Sequence, residues 1–210
     1  MPRILLADDH DIAREGVRAL VASHPGWEVC GEARAGRDAL RLAAELKPDV
    51  LVTDVLMPDL NGVDVARQIR KDLSATEIVI LSGHEDDALI QQAFDAGVRA
   101  YVSKSEARVH LIPAIEALLA RKPYLTVRVA EVLMRDYKGP AAGSADPLTA
   151  REREIVQLLA EGRSNKEISS TLDIGVKTVE THRASIMRKL NLNGLSDIVL
   201  YAIRHKIVEA

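Results

Sequence analysis

Three carboxylates lie close together near the N-terminus, directly after a short apolar run. The stretch ILLADDHD, residues 4–11, places Asp8 and Asp9 side by side and Asp11 two positions later. Like charges this close repel one another, but carboxylate oxygens are also the ligands that Mg²⁺ prefers in proteins. The stretch therefore indicates either a solvated strand end, with Asp11 as a helix cap, or one half of a site for a divalent cation.

The elements that must position these residues repeat one pattern over residues 1–122. Short runs that are apolar throughout alternate with stretches of helical spacing, and such runs suit a parallel sheet covered on both faces. We therefore predict an α/β fold, an open doubly wound parallel sheet of five βα units. The predicted strands are 3–7, 27–33, 49–53, 77–81 and 98–102, and the predicted helices are 11–23, 37–46, 62–73, 86–96 and 106–120.

Chemically useful side chains follow these strands at their carboxyl ends, the edge where open α/β sheets bind ligands. Asp54 follows the third strand, Ser82 the fourth and Lys104 the fifth. Together with Asp8 and Asp9, Asp54 could hold Mg²⁺ and act as a nucleophile that forms an aspartyl phosphate. Ser82 and Lys104 would then donate to phosphoryl oxygens. Each residue alone is typical of a turn, a cap or a solvated surface, but their common edge favours the chemical interpretation.

Composition excludes several classes of protein. Of the 210 residues, 47% are apolar and 28% are charged, a profile typical of soluble globular proteins. The apolar runs are too short to cross a membrane, and the N-terminus lacks a signal-peptide pattern. The single cysteine rules out an internal disulfide. We expect a cytoplasmic protein of two modest domains that has no membrane partner.

The chain changes character after residue 122. One more helix is predicted within 123–136, and residues 137–147, YKGPAAGSADP, have the composition of a flexible linker. Residues 1–125 carry 15 basic and 20 acidic residues, whereas residues 148–210 carry 10 and 8. From Leu148 onward the pattern is helical only, which predicts a small all-α domain. Its predicted helices are 150–161, 164–172, 176–190 and 196–207.

Two of these helices, joined by a short turn at 173–175, form a candidate helix-turn-helix. In that motif the second helix lies in the major groove of DNA. Ser164 and Glu167 have the spacing of a capping box that begins the first helix. In the second helix, Val179, His182, Ile186 and Leu190 form an inward stripe. Its other faces offer contacts to phosphates and base edges, unless the helix is merely solvated. The residues on those faces are Lys177, Thr178, Glu180, Thr181, Arg183, Ala184, Arg188 and Lys189.

Residues 1–122 resemble the receiver domain of bacterial two-component response regulators. The resemblance rests on DDH at 8–10, DVLMPDLNG at 54–62, LSGHED at 81–86 and YVSK at 101–104. It implies a flavodoxin-like sheet with strand order 2-1-3-4-5. It also implies roles for the strand-end residues: Asp54 as phosphoacceptor, Asp8, Asp9, Asp54 and the Leu56 carbonyl as Mg²⁺ ligands, Ser82 and Tyr101 as the switch pair, and Lys104 as the phosphate-binding lysine. Ser105 replaces the proline of many receivers, so the cis bond found there is not carried over.

Residues 148–192 resemble the LuxR-type helix-turn-helix domain. The matching stretches are LTxRE at 148–152, AEGRSNKEI at 160–168 and KTVETHRASIMRKL at 177–190. A receiver followed by this domain is the layout of the NarL/FixJ family, which implies a receiver at 1–122, a helix and linker at 123–147, and a DNA-binding domain at 148–210. In that family Glu180, Thr181 and Ala184 would face bases. The last helix would pair two copies on a pseudo-palindromic operator, through Leu195, Ile198, Val199, Tyr201 and Ala202.

The sequence thus predicts a transcriptional regulator and not an enzyme. A sensor histidine kinase would phosphorylate Asp54 in the presence of Mg²⁺, and phosphorylation would control dimerisation and DNA binding. A phosphatase of the haloacid dehalogenase type needs a second aspartate two residues after its nucleophile, where this chain has Leu56. The other alternative is a regulator that binds DNA without phosphorylation and uses its receiver only for docking or dimerisation; the intact acidic set argues against it.

Overall fold

The computed structural model describes residues 1–136, 147–192 and 194–209. Contacts divide the chain into two units, Met1–Ala141 and Ala142–Ala210, and each is described by itself. The predicted linker at 137–147 lies outside the described residues except for Pro147. Within the described ranges, every helix is too short or too polar to cross a membrane.

The first unit contains a five-stranded parallel sheet with the order β2-β1-β3-β4-β5. This confirms the predicted α/β class and the predicted strand order. Ala7 pairs with Thr53, and Ser82 pairs with Ser103. The strands therefore end together at one edge of the sheet. Their bounds are β1 Arg3–Ala7, β2 Glu28–Ala33, β3 Val50–Thr53, β4 Glu77–Ser82 and β5 Ala100–Ser103.

Helices cover both faces of this sheet. Successive strand residues point to opposite faces, and both sets are apolar: Ile4 and Leu6 pack with α1 and α5, whereas Leu5 and Ala7 pack on the face of α2, α3 and α4. A single 3₁₀ turn, Lys104–Glu106, precedes α5. The helices of the unit are α1 Asp11–Ala22, α2 Gly36–Leu46, α3 Gly62–Asp72, α4 Asp87–Asp95, α5 Ala107–Leu119 and α6 Val127–Asp136.

The start of α1 corrects one prediction. Asp11 is the first residue of the helix, and the N-cap is His10, at which the backbone is still extended. The Asp11 carboxylate instead pairs with Arg14 and Arg34. These two pairs lower the pKa of Asp11, the hydrogen bond from Arg14 having the largest effect. The prediction that Asp11 caps α1 is therefore wrong.

Helix α6 packs against α4. Val129 and Val132 are buried in the same core as the α2, α3 and α4 face of the sheet. Arg128 and Arg135 both pair with the carboxylate of Asp87, the first residue of α4. The apolar stripe and the two ion pairs fix α6 on the first unit.

The second unit is helical throughout its described residues. A capping box begins α8, with Ser164 and Glu167 bonded reciprocally as predicted, and Thr149 and Glu152 form another at α7. One apolar core joins all four helices. The Ser169 hydroxyl donates to the Ile174 carbonyl at 2.5 Å and holds the turn before α9. The helices are α7 Ala150–Ala160, α8 Asn165–Leu172, α9 Val176–Leu190 and α10 Leu195–Arg204.

Candidate functional site

The loop between β3 and α3 holds Asp54 at the carboxyl edge of the sheet. The Asp54 amide donates to the Ala7 carbonyl at 2.8 Å, which keeps the backbone in the sheet one residue past β3. The residue is only 5% exposed. Gly62 passes so close that a Cβ there would lie 1.9 Å from the Asp54 carbonyl oxygen. Glycine is therefore required at position 62 for the loop to close over Asp54.

Lys104 joins the ends of β1, β3 and β5. Its Nζ lies 2.6 Å from Asp54 Oδ2 and 2.8 Å from Asp8 Oδ2, and the Val55 amide donates to Asp54 Oδ1 at 2.6 Å. Burial raises the pKa of the Asp54 carboxyl, although Lys104 opposes this rise. For Lys104, burial acts to lower the pKa, but the two carboxylates outweigh it and raise it. The lysine thus stays charged beside the buried acid.

Four side chains at this edge could hold a metal ion. One ligand atom each of Asp8, Asp9, His10 and Asp54 lies within 4.8 Å of the others. This confirms that the structure brings the three predicted carboxylates together, and their hard oxygen atoms suit Mg²⁺. His10 was not predicted as part of the group, although it is the third residue of the DDH stretch. Asp11, the other acid of that stretch, takes no part.

The predicted switch residues Ser82 and Tyr101 both bond to His84. The Ser82 hydroxyl accepts from the His84 amide at 3.1 Å, and the Tyr101 hydroxyl donates to the His84 carbonyl at 2.6 Å. Both side chains are buried. Burial raises the pKa of Tyr101 to about 12, while the neighbouring Ser82 hydroxyl opposes the rise. The two residues therefore hold one loop, 82–86, from two adjacent strands.

The remaining predicted features lie around this centre. Leu56, two residues after Asp54, is buried, so the position of a phosphatase general acid holds an apolar side chain. The peptide bond between Lys104 and Ser105 is trans, like every peptide bond in the described ranges.

Helix α9 presents most of the predicted DNA-contacting residues to solvent. Val179 and Ile186 are buried in the core, which confirms that they face inward, and His182 and Leu190 are half-buried. Lys189 is different: its Nζ donates to Glu152 Oε2 at 2.6 Å. This pair holds the Lys189 ammonium within its own unit, although the residue is exposed, so its contact with DNA stays a prediction. The exposed candidates are Lys177, Thr178, Glu180, Thr181, Ala184, Arg188 and Lys189, with Arg183 half-buried.

Two families match the chain, one on each unit. The sequence profile described as "Response regulator receiver domain" matches residues 4–116, and the one described as "Bacterial regulatory proteins, luxR family" matches residues 146–202. The chain is a LuxR-family response regulator. It therefore combines a two-component receiver with a DNA-binding domain.

Relatives of this response regulator match it over its whole length. The transcriptional regulatory protein LiaR of Bacillus subtilis (strain 168) is 38% identical over 210 residues, covering 99% of this chain and 100% of LiaR. The response regulator VraR of Staphylococcus saprophyticus is 36% identical over 211 residues, covering 99% of both chains. Both are response regulators or transcriptional regulators by name.

Solved structures give the same assignment. A LuxR-family two-component response regulator from Aurantimonas sp. SI85-9A1 has a TM-score of 0.60 and 38% identity, covering 64% of this chain and 96% of its own. The response regulator RcsB in complex with DNA has a TM-score of 0.60 and 25% identity, covering 95% of this chain and 96% of its own.

The partner of Lys189 in this response regulator is a buried carboxylate that accepts several further hydrogen bonds. Glu152, 3% exposed, accepts from the Thr149 amide at 2.9 Å, the Thr149 hydroxyl at 3.0 Å and the Ser185 hydroxyl at 2.9 Å, besides Lys189. Burial acts to raise the pKa of Glu152, but Lys189 and these donors outweigh it and lower it to about 2. The TxxE spacing at 149–152 signals the cap, whereas the bonds to α9 have no sequence signal.

Helix α10 contains the residues predicted to form the dimer contact of the response regulator, and for two of them the prediction is wrong. Ile198 and Ala202 are 0% exposed because they fill the core of their own unit. Leu195 and Leu200, 42% and 51% exposed, lie outside that core. Val199 is half-buried. Tyr201, also half-buried, stacks on His205 with ring centroids 4.1 Å apart.

Proposed function

We propose that a sensor histidine kinase phosphorylates this response regulator at Asp54 in a Mg²⁺-dependent reaction. Phosphorylation then promotes a homodimer that binds double-stranded DNA and regulates transcription in the cytoplasm. One observation carries the proposal: the Asp54 carboxylate, 5% exposed, lies 2.6 Å from the Lys104 ammonium and belongs with Asp8 and Asp9 to the group that could hold a metal ion. An acid in an ordinary surface turn is solvated, whereas Asp54 is buried and paired with a lysine.

In the proposed reaction an Asp54 carboxylate oxygen attacks the phosphorus of a phosphohistidine. A P–O bond forms, the P–N bond breaks, and its electron pair returns to the imidazole of the kinase. Mg²⁺ held by Asp8, Asp9, Asp54 and the Leu56 carbonyl would neutralise charge on the phosphoryl oxygens. Lys104, which contacts Asp54 Oδ2, is placed to donate to those oxygens as well.

The signal would leave the site through the loop that Ser82 and Tyr101 hold. When the Ser82 hydroxyl donates to a phosphoryl oxygen, it turns away from the His84 amide that it accepts from at 3.1 Å. The same loop contacts α6, since Arg128 donates to the Glu85 carbonyl at 3.4 Å and pairs with Asp87. We propose that the structural effect of phosphorylation reaches α6 by this route, and α6 precedes the DNA-binding unit in the chain.

In the second unit, α9 would enter the major groove. The small or neutral Thr181 and Ala184, with Glu180, would face bases, while Lys177 and Arg188 would contact phosphates. The relative RcsB was solved in complex with DNA. For the homodimer, we place the contact on exposed residues of α10, because Leu195 and Leu200 are apolar and accessible. Two copies related by a twofold axis would bind a pseudo-palindrome.

The test is phosphate uptake by the full-length chain. Incubation with acetyl phosphate and Mg²⁺ should add one phosphoryl group by intact mass, shift the protein towards dimer and raise its affinity for DNA. Asp54→Asn should abolish uptake, whereas the matched control Asp72→Asn, an exposed acid at the end of α3, should take up phosphate normally. Uptake by Asp54→Asn would refute the site. Absence of uptake in the unmodified chain would support the phosphorylation-independent alternative.

A further inference from the structure

The His10 imidazole lies in the group of side chains that could hold a metal ion, beside Asp8 and Asp9. Its Nδ1 lies 2.9 Å from Asp9 Oδ1 and 3.3 Å from Asp8 Oδ1. Its backbone amide also donates to Asp8 Oδ1 at 2.9 Å. The ring nitrogen therefore lies beside oxygen atoms of both adjacent acids in the group that could hold a metal ion.

The backbone explains why this side chain is available. His10 is the N-cap of α1, a position where Ser, Asp or Asn usually bonds the first amides of the helix. The His10 side chain bonds none of those amides, all of which lie in the described part of the chain. The Arg14 amide donates to the His10 carbonyl at 3.0 Å, so the residue is held between β1 and α1. The backbone fixes the position of His10, and its ring is left available to the group that could hold a metal ion.

Imidazole nitrogen is a poor ligand for Mg²⁺, which selects hard oxygen atoms, but it binds first-row transition metals, Ni²⁺ more strongly than Co²⁺ and Co²⁺ more strongly than Mn²⁺. We infer that His10 is a nitrogen ligand at the receiver cation site and shifts its selectivity towards these transition metals. The site binds Ni²⁺, Co²⁺ and Mn²⁺ more tightly, relative to Mg²⁺, than a site of carboxylates alone. This inference rests on the proposed function, because it uses the same Asp8, Asp9 and Asp54 oxygens.

The spacing of the four ligand atoms supports a single ion. Opposite ligands of an octahedral ion with bonds of about 2.1 Å are about 4.2 Å apart. The four atoms lie within 4.8 Å of one another, so side-chain adjustments of a few tenths of an ångström bring them into contact with one ion. Asp9 and His10 are exposed, which leaves these two side chains room for that adjustment.

The experiment compares metal affinities of the full-length chain without a histidine tag. Isothermal titration calorimetry gives Kd for Mg²⁺ and Ni²⁺ in the unmodified chain, in His10→Asn and in His24→Asn. The last variant removes a histidine beyond the other end of α1 and serves as the control. His10→Asn should weaken Ni²⁺ by about tenfold or more and leave Mg²⁺ within about twofold. His24→Asn should change neither. Equal losses for both ions, or no loss of Ni²⁺ affinity in His10→Asn, would overturn the inference.

A spectroscopic measurement tests direct ligation. Bound Mn²⁺ should show ¹⁴N coupling in electron spin echo modulation, and His10→Asn should remove it. Persistent coupling in that variant would mean that another nitrogen binds the ion.

Asp9→Asn distinguishes a failure of the proposed cation site from a failure of the role of His10, because it should weaken the binding of both Mg²⁺ and Mn²⁺. If Asp9→Asn weakens neither ion, the cation site itself is wrong; if it weakens both while His10→Asn changes nothing, only the role of His10 fails.

Discussion

Replacing Glu152 with Gln should destabilise the DNA-binding unit at neutral pH and remove most of its acid sensitivity. The folded-state pKa of Glu152 is about 2, against an ordinary value of 4.5. One pKa unit corresponds to about 1.4 kcal/mol, so the ionised carboxylate contributes about 3 kcal/mol to the free energy of unfolding. Gln keeps the shape of the side chain but cannot pair with the Lys189 ammonium, which lies 2.6 Å from Glu152 Oε2.

The sign of the pH dependence follows from the lowered pKa. A carboxylate whose folded-state pKa is depressed stabilises the fold fully above its unfolded pKa, and the effect is lost as pH falls through the folded pKa. For Glu152 the window runs from 4.5 down to about 2. About 2 of the 3 kcal/mol are therefore lost by pH 3. The unmodified chain and Glu152→Gln should differ strongly at pH 7 and much less at pH 3.

Urea unfolding followed by two probes isolates the second unit. Trp27, the single tryptophan of the chain, reports the first unit by fluorescence, while circular dichroism reports the helices of both. Glu152→Gln should lower the urea midpoint only of the transition that circular dichroism detects and Trp27 fluorescence does not. Glu167→Gln is the matched control, because Glu167 forms the same capping box with Ser164 but is exposed. A stability difference for Glu152→Gln that stays constant between pH 7 and pH 3 would refute the reasoning.

Two further predictions concern the output of the receiver and the contact with DNA. Arg128→Ala removes the ion pair with Asp87, so phosphate uptake at Asp54 should be unchanged while the ratio of DNA affinities with and without phosphorylation falls; an unchanged ratio would contradict the proposed route. Lys177→Ala should lower the slope of log affinity against log salt by about one, as measured by fluorescence anisotropy. Lys189→Ala should leave that slope nearly unchanged, because Lys189 is paired within its own unit.

The sequence was enough to predict the fold and the carboxyl edge of the sheet, because both depend on local patterns. Apolar runs identify strands, and parallel strands end at one edge, so the convergence of Asp8, Asp54 and Lys104 follows from topology. Side-chain direction at a single position does not follow in this way. His10 and Asp11 are adjacent in sequence, yet only His10 joins the group that could hold a metal ion, whereas the Asp11 carboxylate pairs with arginines.

Long-range pairs are the other class of feature that periodicity does not contain. The spacing of charges on α9 places Lys189 on an outer face, and the residue is exposed there, but the spacing does not show that its ammonium pairs with a residue of α7. Whether an outer face meets DNA or another helix depends on where α7 packs, and Glu152 lies 37 positions earlier in the chain. The same reasoning applies to Arg128 and Asp87, which are 41 positions apart and belong to two helices whose packing no local pattern encodes.

Helix α10 shows why an apolar stripe does not by itself identify a dimer surface. A helix that packs in its own core and also binds a second copy needs two apolar faces. Ile198 and Ala202, four residues apart, form the inward face and are fully buried. Leu195 and Leu200 are apolar as well but exposed, and because they are five residues apart they point about 140° from one another around the helix. Burial within a single unit therefore assigns the first pair to folding and leaves Leu195 and Leu200 accessible, so the dimer contact that we propose on α10 includes Leu200.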